Sequence, residues 1–282
     1  MKKSFYLLST VALAALFMVS CNKRDEEISP LSQEVILPYK VETTYFEDNN
    51  EEKENIYLTY DGTKLSKEVV VFPNKSKDSL VYTYQGDLIT KIKGEKTETS
   101  YEYDSNGNLT KETFISNYPS QTSTEAYTYK LNGNTVEVTL EEINKKDGNI
   151  IYKKEGFYTY TITPNKQILK RVGKEVSSSY GSATLILSNE TSIEEEYTYD
   201  DRNSLFKNIR GFDKLGYSQD AIYLSKGGTN NMLTKSGKQN QMTTLYGYKY
   251  SYNDKNFPTE IENTRDGKKR SISKIEYKVV SK

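Results

Sequence analysis

Histidine and tryptophan are both absent from this chain of 282 residues, and cysteine occurs once, as Cys21. Without histidine there is no imidazole general base, no Ser-His-Asp triad and no imidazole ligand for zinc or iron. Without tryptophan the strongest stacking platform for a sugar or a cation is missing, and tyrosine is the weaker substitute. A single thiol excludes an intramolecular disulfide. Apolar residues are also scarce. They make up 35% of the chain against 28% charged, at a mean hydropathy of −0.77. That balance alone points towards disorder, but 25 tyrosines and nine phenylalanines oppose it. Tyrosine suits a half-buried pleated surface, with its ring inside and its hydroxyl at water. The composition predicts much exposed sheet over a modest core.

What is abundant is one repeated unit. Its clearest copy is Tyr101-Glu102-Tyr103-Asp104-Ser105-Asn106-Gly107-Asn108-Leu109-Thr110-Lys111. Alternation of period two puts Tyr101 and Tyr103 on one strand face and Glu102 on the other. Asn106-Gly107 predicts a type I′ corner, which needs positive φ at both central residues. Leu109 restarts the extended chain. Looser copies run over 56–60, 80–84, 126–129, 157–162, 196–199 and 246–252, each followed by a polar turn and a returning segment. After Tyr199 the returning strand is predicted at 205–209. Residues 173–184 and 227–241 lack apolar alternation and are predicted as the longest polar loops. No window outside the first twenty residues has a helical period.

Consecutive antiparallel strands usually pair, so the units add up to a meander of about 14–16 strands. The predicted fold is all-β: tyrosine-pair hairpins curled into an open or closed wide barrel, water-soluble, forming a single domain over 34–282.

The N-terminus reads as an address. Lys2 and Lys3, an apolar run over 5–19 and small Ser20 are the three parts of a signal peptide over 1–20. Cys21 directly after that run resembles a bacterial lipobox, with Met18 a departure from the usual leucine. The resemblance implies that the signal is removed and Cys21 is lipidated, so that the membrane is a partner through this anchor. Residues 21–33 then form a tether. Asp25-Glu26-Glu27 behind Lys23 is similar to the surface-export signal of Bacteroidetes lipoproteins. It implies an outer-membrane protein facing the cell exterior, with the periplasmic face as the alternative. Loss of Lys2 and Lys3 leaves 37 basic and 39 acidic residues, a net charge of −2. No basic block with interleaved aromatics occurs, so nucleic acid is not a predicted partner.

Tyr103-Asp104, Gly107-Asn108-Leu109 and Thr110-Lys111 resemble the tyrosine-aspartate (YD) repeat of Rhs-type bacterial surface proteins. Ala221 to Lys226, Asn230-Asn231, Tyr248 to Tyr252 and Phe257-Pro258-Thr259 together resemble an uncharacterised Bacteroidetes lipoprotein family described as having a porin-like β fold. Gly227-Gly228-Thr229 lengthens the loop before the asparagine pair. This resemblance implies a shape and no site residues. A membrane barrel needs a continuous lipid-facing apolar band. The low hydropathy and the lysines and glutamates opposite the tyrosines argue instead for an anchored, soluble barrel. The last residues, 278–282, also lack the terminal aromatic that resembles an outer-membrane insertion signal.

Candidate chemistry is sparse, and no catalytic residue, metal or cofactor is predicted. Asp104 to Asn108 has oxygen ligands at alternate positions, but a calcium loop would place Gly and Glu where Leu109 and Ile115 stand; a hairpin turn is the simpler reading. Glu194 and Glu196 share a strand face, which suits a solvated edge better than a glycosidase pair. Asp78-Ser79-Leu80 matches a short O-glycosylation motif. The tyrosine rows form either an exposed binding ladder or simply the core. Loops as long as 227–241 are usually functional or disordered. Its amides, hydroxyls and amines predict ligand contacts at Thr229, Asn230, Asn231, Lys235, Lys238 and Asn240. The function expected is a non-enzymatic surface lipoprotein that binds a glycan or a protein. The alternative is a structural envelope component with no soluble ligand.

Overall fold

In the computed structural model, which describes residues 34–47, 50–181, 184–219 and 227–281, sixteen antiparallel strands close into one barrel. The first eight are β1 (Glu34–Glu47), β2 (Asn50–Asp61), β3 (Lys64–Val71), β4 (Lys77–Gln85), β5 (Leu88–Lys93), β6 (Thr97–Tyr103), β7 (Leu109–Tyr118) and β8 (Gln121–Asn132). The rest are β9 (Thr135–Lys146), β10 (Asn149–Ile162), β11 (Ile168–Gly181), β12 (Thr184–Tyr199), β13 (Met232–Gln239), β14 (Met242–Tyr252), β15 (Pro258–Arg265) and β16 (Lys268–Ser281). Each strand pairs with its chain neighbours, and β1 pairs with β16 from Glu34↔Ser281 to Tyr45↔Ser271 to close the wall. The strand count meets the top of the predicted range, and of the two predicted forms the barrel takes the closed one.

Three local predictions are corrected. Residues 173–181 continue β11, and 232–239 form β13. Neither alternates in hydrophobicity, because polar side chains stand on both faces: Glu175 and Lys235 towards the lumen, Lys174 and Lys238 outwards. Residues 205–209 are not a strand; they belong to a folded segment inside the barrel. The corner at 104–108 is not type I′. Gly107 has φ +72°, and Asn106 is not in the left-handed region. Instead the Asp104 carboxylate accepts the Asn106 and Asn108 backbone N–H groups at 2.9 and 2.8 Å and the Asn108 side chain at 2.9 Å. Those bonds, the Asn108 side chain's first, hold the Asp104 carboxyl below the usual range. They also occupy the oxygens that a cation would need.

The repeated unit makes physical sense beyond its turn. A one-residue bulge follows the turn: Tyr103 faces Leu109 and Glu102 faces Lys111, so Thr110 is extra. A bulge leaves its residue outside the ladder. The Thr110 hydroxyl satisfies the opposite strand by donating to the Glu102 carbonyl at 3.1 Å, and Ser66 and Thr90 do the same in their hairpins. The carbonyl just before such a bulge is then met by an inward tyrosine hydroxyl from the next strand. Tyr60 donates to Pro38, Tyr103 to Ile89, Tyr199 to Ile168, Tyr250 to Met232 and Tyr277 to Pro258, all at 2.7–2.8 Å. The tyrosine rows therefore face inwards. Tyr82, Tyr101, Tyr127, Tyr129, Tyr158, Tyr160 and Tyr197 are all buried, and the core reading of the rows holds.

The outer face is polar at mid-strand. Lys40 reaches Glu276 at 2.8 Å, Lys174 reaches Glu190 at 2.7 Å, and Lys249 reaches Glu262 at 3.7 Å. Glu194 and Glu196 do share the outward face, where both bind Lys170. A lysine at a bilayer midplane costs a barrel about 2–4 kcal/mol. These ion pairs interrupt an apolar band on the strands that carry them.

Candidate functional site: the lumen and the segment that fills it

Turns alternate between the two ends of the barrel, and the tyrosine-unit turns all fall at one end. There the connection from β12 to β13 is far longer than the others among the described residues. Its two ends reproduce the turn at Asp104. Asp200 accepts the Arg202 and Asn231 backbone N–H groups at 3.1 and 2.9 Å and the Asn231 side chain at 3.0 Å, and its own N–H donates to the Asn231 carbonyl. Asp200 and Asn231 thus stand in for Asp104 and Asn108. The first pair is 31 positions apart and the second four, so 27 residues are inserted into an otherwise unchanged turn.

The insert runs back into the barrel. Ile209, Phe212, Leu215 and Tyr217 are 0–2% exposed. A short 3-10 helix, Phe212–Leu215, starts at Gly211 with φ +87°. A Cβ there would lie 2.7 Å from the Asp87 carbonyl, so only glycine allows this approach. Bonds tie the insert to the wall on several sides. The Asn208 side chain donates to the Ile36 carbonyl at 3.0 Å, and the Arg210 N–H donates to the Thr63 carbonyl at 3.0 Å. The Tyr217 hydroxyl donates to the Leu109 carbonyl at 3.0 Å, and the Gln219 N–H donates to the Glu112 carboxylate at 2.9 Å. Thr229 bonds Gln167 across the β10–β11 turn at 3.0 Å.

Among the described residues, two cavities open inside. One, of about 410 Å3, is charged and lies towards the end away from the insert, against β10 to β15. Arg171 is its centre. It is 4% exposed, stacks on Tyr158 at 4.1 Å from the ring centroid, and pairs with Glu195 at 3.2 Å and Glu175 at 3.6 Å. Gly173, next along the inner row, leaves the room that the Tyr158 ring needs. Glu195 also accepts from Lys235 at 3.0 Å and from the Tyr197 hydroxyl at 2.7 Å. Burial opposes the Glu195 charge, but Arg171, Lys235 and Tyr197 outweigh it and hold the carboxyl below its usual range. Nearby Glu125 goes the other way. Burial first, and then Glu142, push its carboxyl up. The second cavity, of about 300 Å3, lies between the insert and β1, β14, β15 and β16, and no charged side chain among the described residues lines it.

The six predicted ligand residues do not converge, because 232–239 is wall rather than loop. Thr229, Asn230 and Asn231 brace the mouth of the insert, and Asn231 also donates to the Asn203 carbonyl at 3.0 Å. Lys235 points into the charged cavity. Lys238 sits on β13 opposite outward Glu194. Asn240 forms the tight β13–β14 turn, where its side chain accepts the Ser192 N–H at 2.9 Å. Asn230 and Asn231 also line the neutral cavity and Lys235 the charged one, which Lys238 borders from the outward face of β13. Cys21, the tether and the whole 221–226 segment of the resemblance lie outside the described residues, as does the signal run. Sequence reasoning missed Arg171, Glu175, Glu195, Tyr45 and Asn263. The one available signal was charge at tyrosine parity on a strand, as in Glu195-Glu196-Tyr197.

No protein-family model and no curated protein matches this chain in sequence. Solved structures do match in shape. A porin-like protein from Bacteroides uniformis aligns over 86% of this chain and 96% of its own at 13% identity, with a TM-score of 0.44. A porin-like protein from Bacteroides vulgatus aligns over 86% of this chain and 99% of its own at 16% identity, with a TM-score of 0.54. The second likeness shows the fold alone: in architecture, this chain is similar to a Bacteroides porin-like barrel.

Proposed function

We propose that this protein is a non-enzymatic surface lipoprotein, anchored in the outer membrane through Cys21, whose barrel is a cup for a glycan and not a conduit. The observation that carries the reading is the insert. It stops the lumen at one end with the chain's own residues and leaves cavities of about 410 and 300 Å3 beyond it. Cavities of this size suit sugar units and exclude a folded protein. The outward ion pairs support a barrel held beside the bilayer by a lipid rather than within it.

A glycan-array screen of residues 22–282 tests the cup. Reproducible binding to a saccharide supports it, and a blank leaves a structural envelope component. Cys21→Ala tests the anchor: the variant is expected in the soluble fraction, and unchanged membrane association without an acyl label refutes it. Protease treatment of intact cells tests the surface location, and full protection until lysis would place the protein on the periplasmic face.

A further inference from the structure

The neutral cavity has an order that its lining alone does not reveal. The strand registers align four residues in one row across the wall. Tyr248 on β14 pairs with Asn263 on β15, Asn263 pairs with Ser271 on β16, and Ser271 pairs with Tyr45 on β1. All four line the cavity. Neighbouring strands lie about 4.8 Å apart, so the row spans roughly 14 Å. An aromatic ring stands at each end, with an amide and a hydroxyl between them.

We propose that this row is the seat of one uncharged pyranose ring, an inference that rests on the glycan-cup reading and names the sugar class it takes. A pyranose has an apolar C–H face and an equatorial belt of hydroxyls. The face suits a tyrosine ring. The belt suits groups that both donate and accept, and amides and hydroxyls are the side chains that do both. Asn263 and Ser271 supply them at the centre of the row, with Asn230 of the insert across the cavity. The Tyr45 hydroxyl donates to the Glu54 carboxylate at 3.3 Å and is pushed up to about 12 by burial and then by Glu54, so the phenol stays neutral and offers the sugar its ring and its hydroxyl oxygen. A carboxylate in this cavity would find no countercharge among the described lining residues, and burying an unpaired charge is heavily penalised. The volume, at the lower end for ligand sites, fits one ring and not a chain of rings.

The test uses the mature chain, residues 22–282, with saturation-transfer NMR and calorimetry. The probes are methyl glycosides of neutral hexoses, the corresponding uronic acids and N-acetylneuraminic acid. At least one neutral glycoside is expected to bind. Asn263→Ala and Tyr45→Ala are each expected to weaken it at least tenfold. Tyr45 is 38% exposed, so its truncation leaves the fold intact even if Asn263→Ala perturbs it. Binding of acidic sugars alone, or neutral-sugar binding that survives Tyr45→Ala but is lost in Lys235→Met, overturns the inference and leaves the cup standing. A blank with every saccharide here and on the array overturns both.

Discussion

Arg171→Met is the perturbation whose outcome the lumen constrains most tightly. Methionine keeps most of the arginine stem against the Tyr158 ring, so packing loss is small and the change is chiefly one of charge. Two carboxylates lose their partner, Glu195 at 3.2 Å and Glu175 at 3.6 Å. Removing one member of a buried ion pair costs about 3–5 kcal/mol, because the other charge stays buried. Glu195 keeps Lys235 and the Tyr197 hydroxyl, and Glu175 keeps the Tyr158 hydroxyl. The lower end, about 3 kcal/mol at pH 7, is therefore expected, or about 6–12 °C in Tm for a chain of this size. The sign of the pH dependence follows. In the parent protein the folded Glu195 carboxyl lies below its unfolded value, so it adds stability above the unfolded value and loses it as pH falls through the folded one. In the variant the opposing burial gains ground and the folded carboxyl rises. The penalty is then largest at neutral pH and shrinks as the pH falls into the carboxylate range. Urea denaturation of both proteins at about pH 7.5, 5.5 and 3.5 measures this, since these values span the unperturbed glutamate value of about 4.3. Adding Glu195→Gln to the variant should restore part of the loss. An equal loss at every pH, with no restoration by Glu195→Gln, would refute the electrostatic account.

Three further outcomes are expected. Tyr103→Phe removes the hydroxyl that meets the Ile89 carbonyl and should cost about 1 kcal/mol in urea denaturation; Tyr199→Phe should add to it, since the two latches lie in distant hairpins. Gly211→Ala forces a left-handed residue against the Asp87 carbonyl and should cost about 1–3 kcal/mol, read as a lower Tm with an unchanged β signal in circular dichroism. Replacing 203–230 by a single glycine restores the turn length seen at Asp104. It should leave the β signal but raise binding of the dye ANS, and no rise would mean that the insert does not fill the lumen.

The fold was largely legible because the tyrosine units carry it. Period-two alternation and turns at 61–62, 132–134 and 266–267 are local features, and local features survive in a sequence. What was lost is what the lumen does to the signal. On β11 and β13 both faces carry polar side chains, so Lys174, Ser177, Ser236 and Gly237 read as loop although pairing with β10, β12 and β14 makes them strand. The insert was hidden for the opposite reason. Leu205-Phe206 and Ile209 look like the returning strand that every other unit has. Nothing local says that Asp200 finds its asparagine 31 positions later. The lumen row of Tyr45, Ser271, Asn263 and Tyr248 joins residues from both ends of the chain, and only closure of β1 on β16 brings them together.

The insert also answers a problem that the composition poses. A sixteen-stranded barrel is too wide for ordinary side chains to fill, and barrels of this size leave an aqueous channel. This chain has few large aliphatic residues to spend on the interior. Tyrosine lengthens the reach of the wall, and its hydroxyls end on carbonyls freed by a bulge, as at Tyr60 and Tyr103, or on inward carboxylates, as at Tyr82 and Tyr197. Even so, the rings do not meet across the lumen. The insert supplies the missing layer. It stacks Phe206 on Phe212 at 5.4 Å and sets Tyr217 edge-on to Tyr129 at 5.6 Å. Tyr217 even takes the Leu109 carbonyl, the place that a wall tyrosine takes in five other hairpins. On β8 the equivalent position, three beyond the Thr128 that faces Lys111, is Leu131, which has no hydroxyl to give. The insert is therefore seated by the same hydroxyl-to-bulge bond that fastens one hairpin to the next. It enters and leaves through a turn whose hydrogen bonds are unchanged, so it adds a layer inside without disturbing the strand register outside.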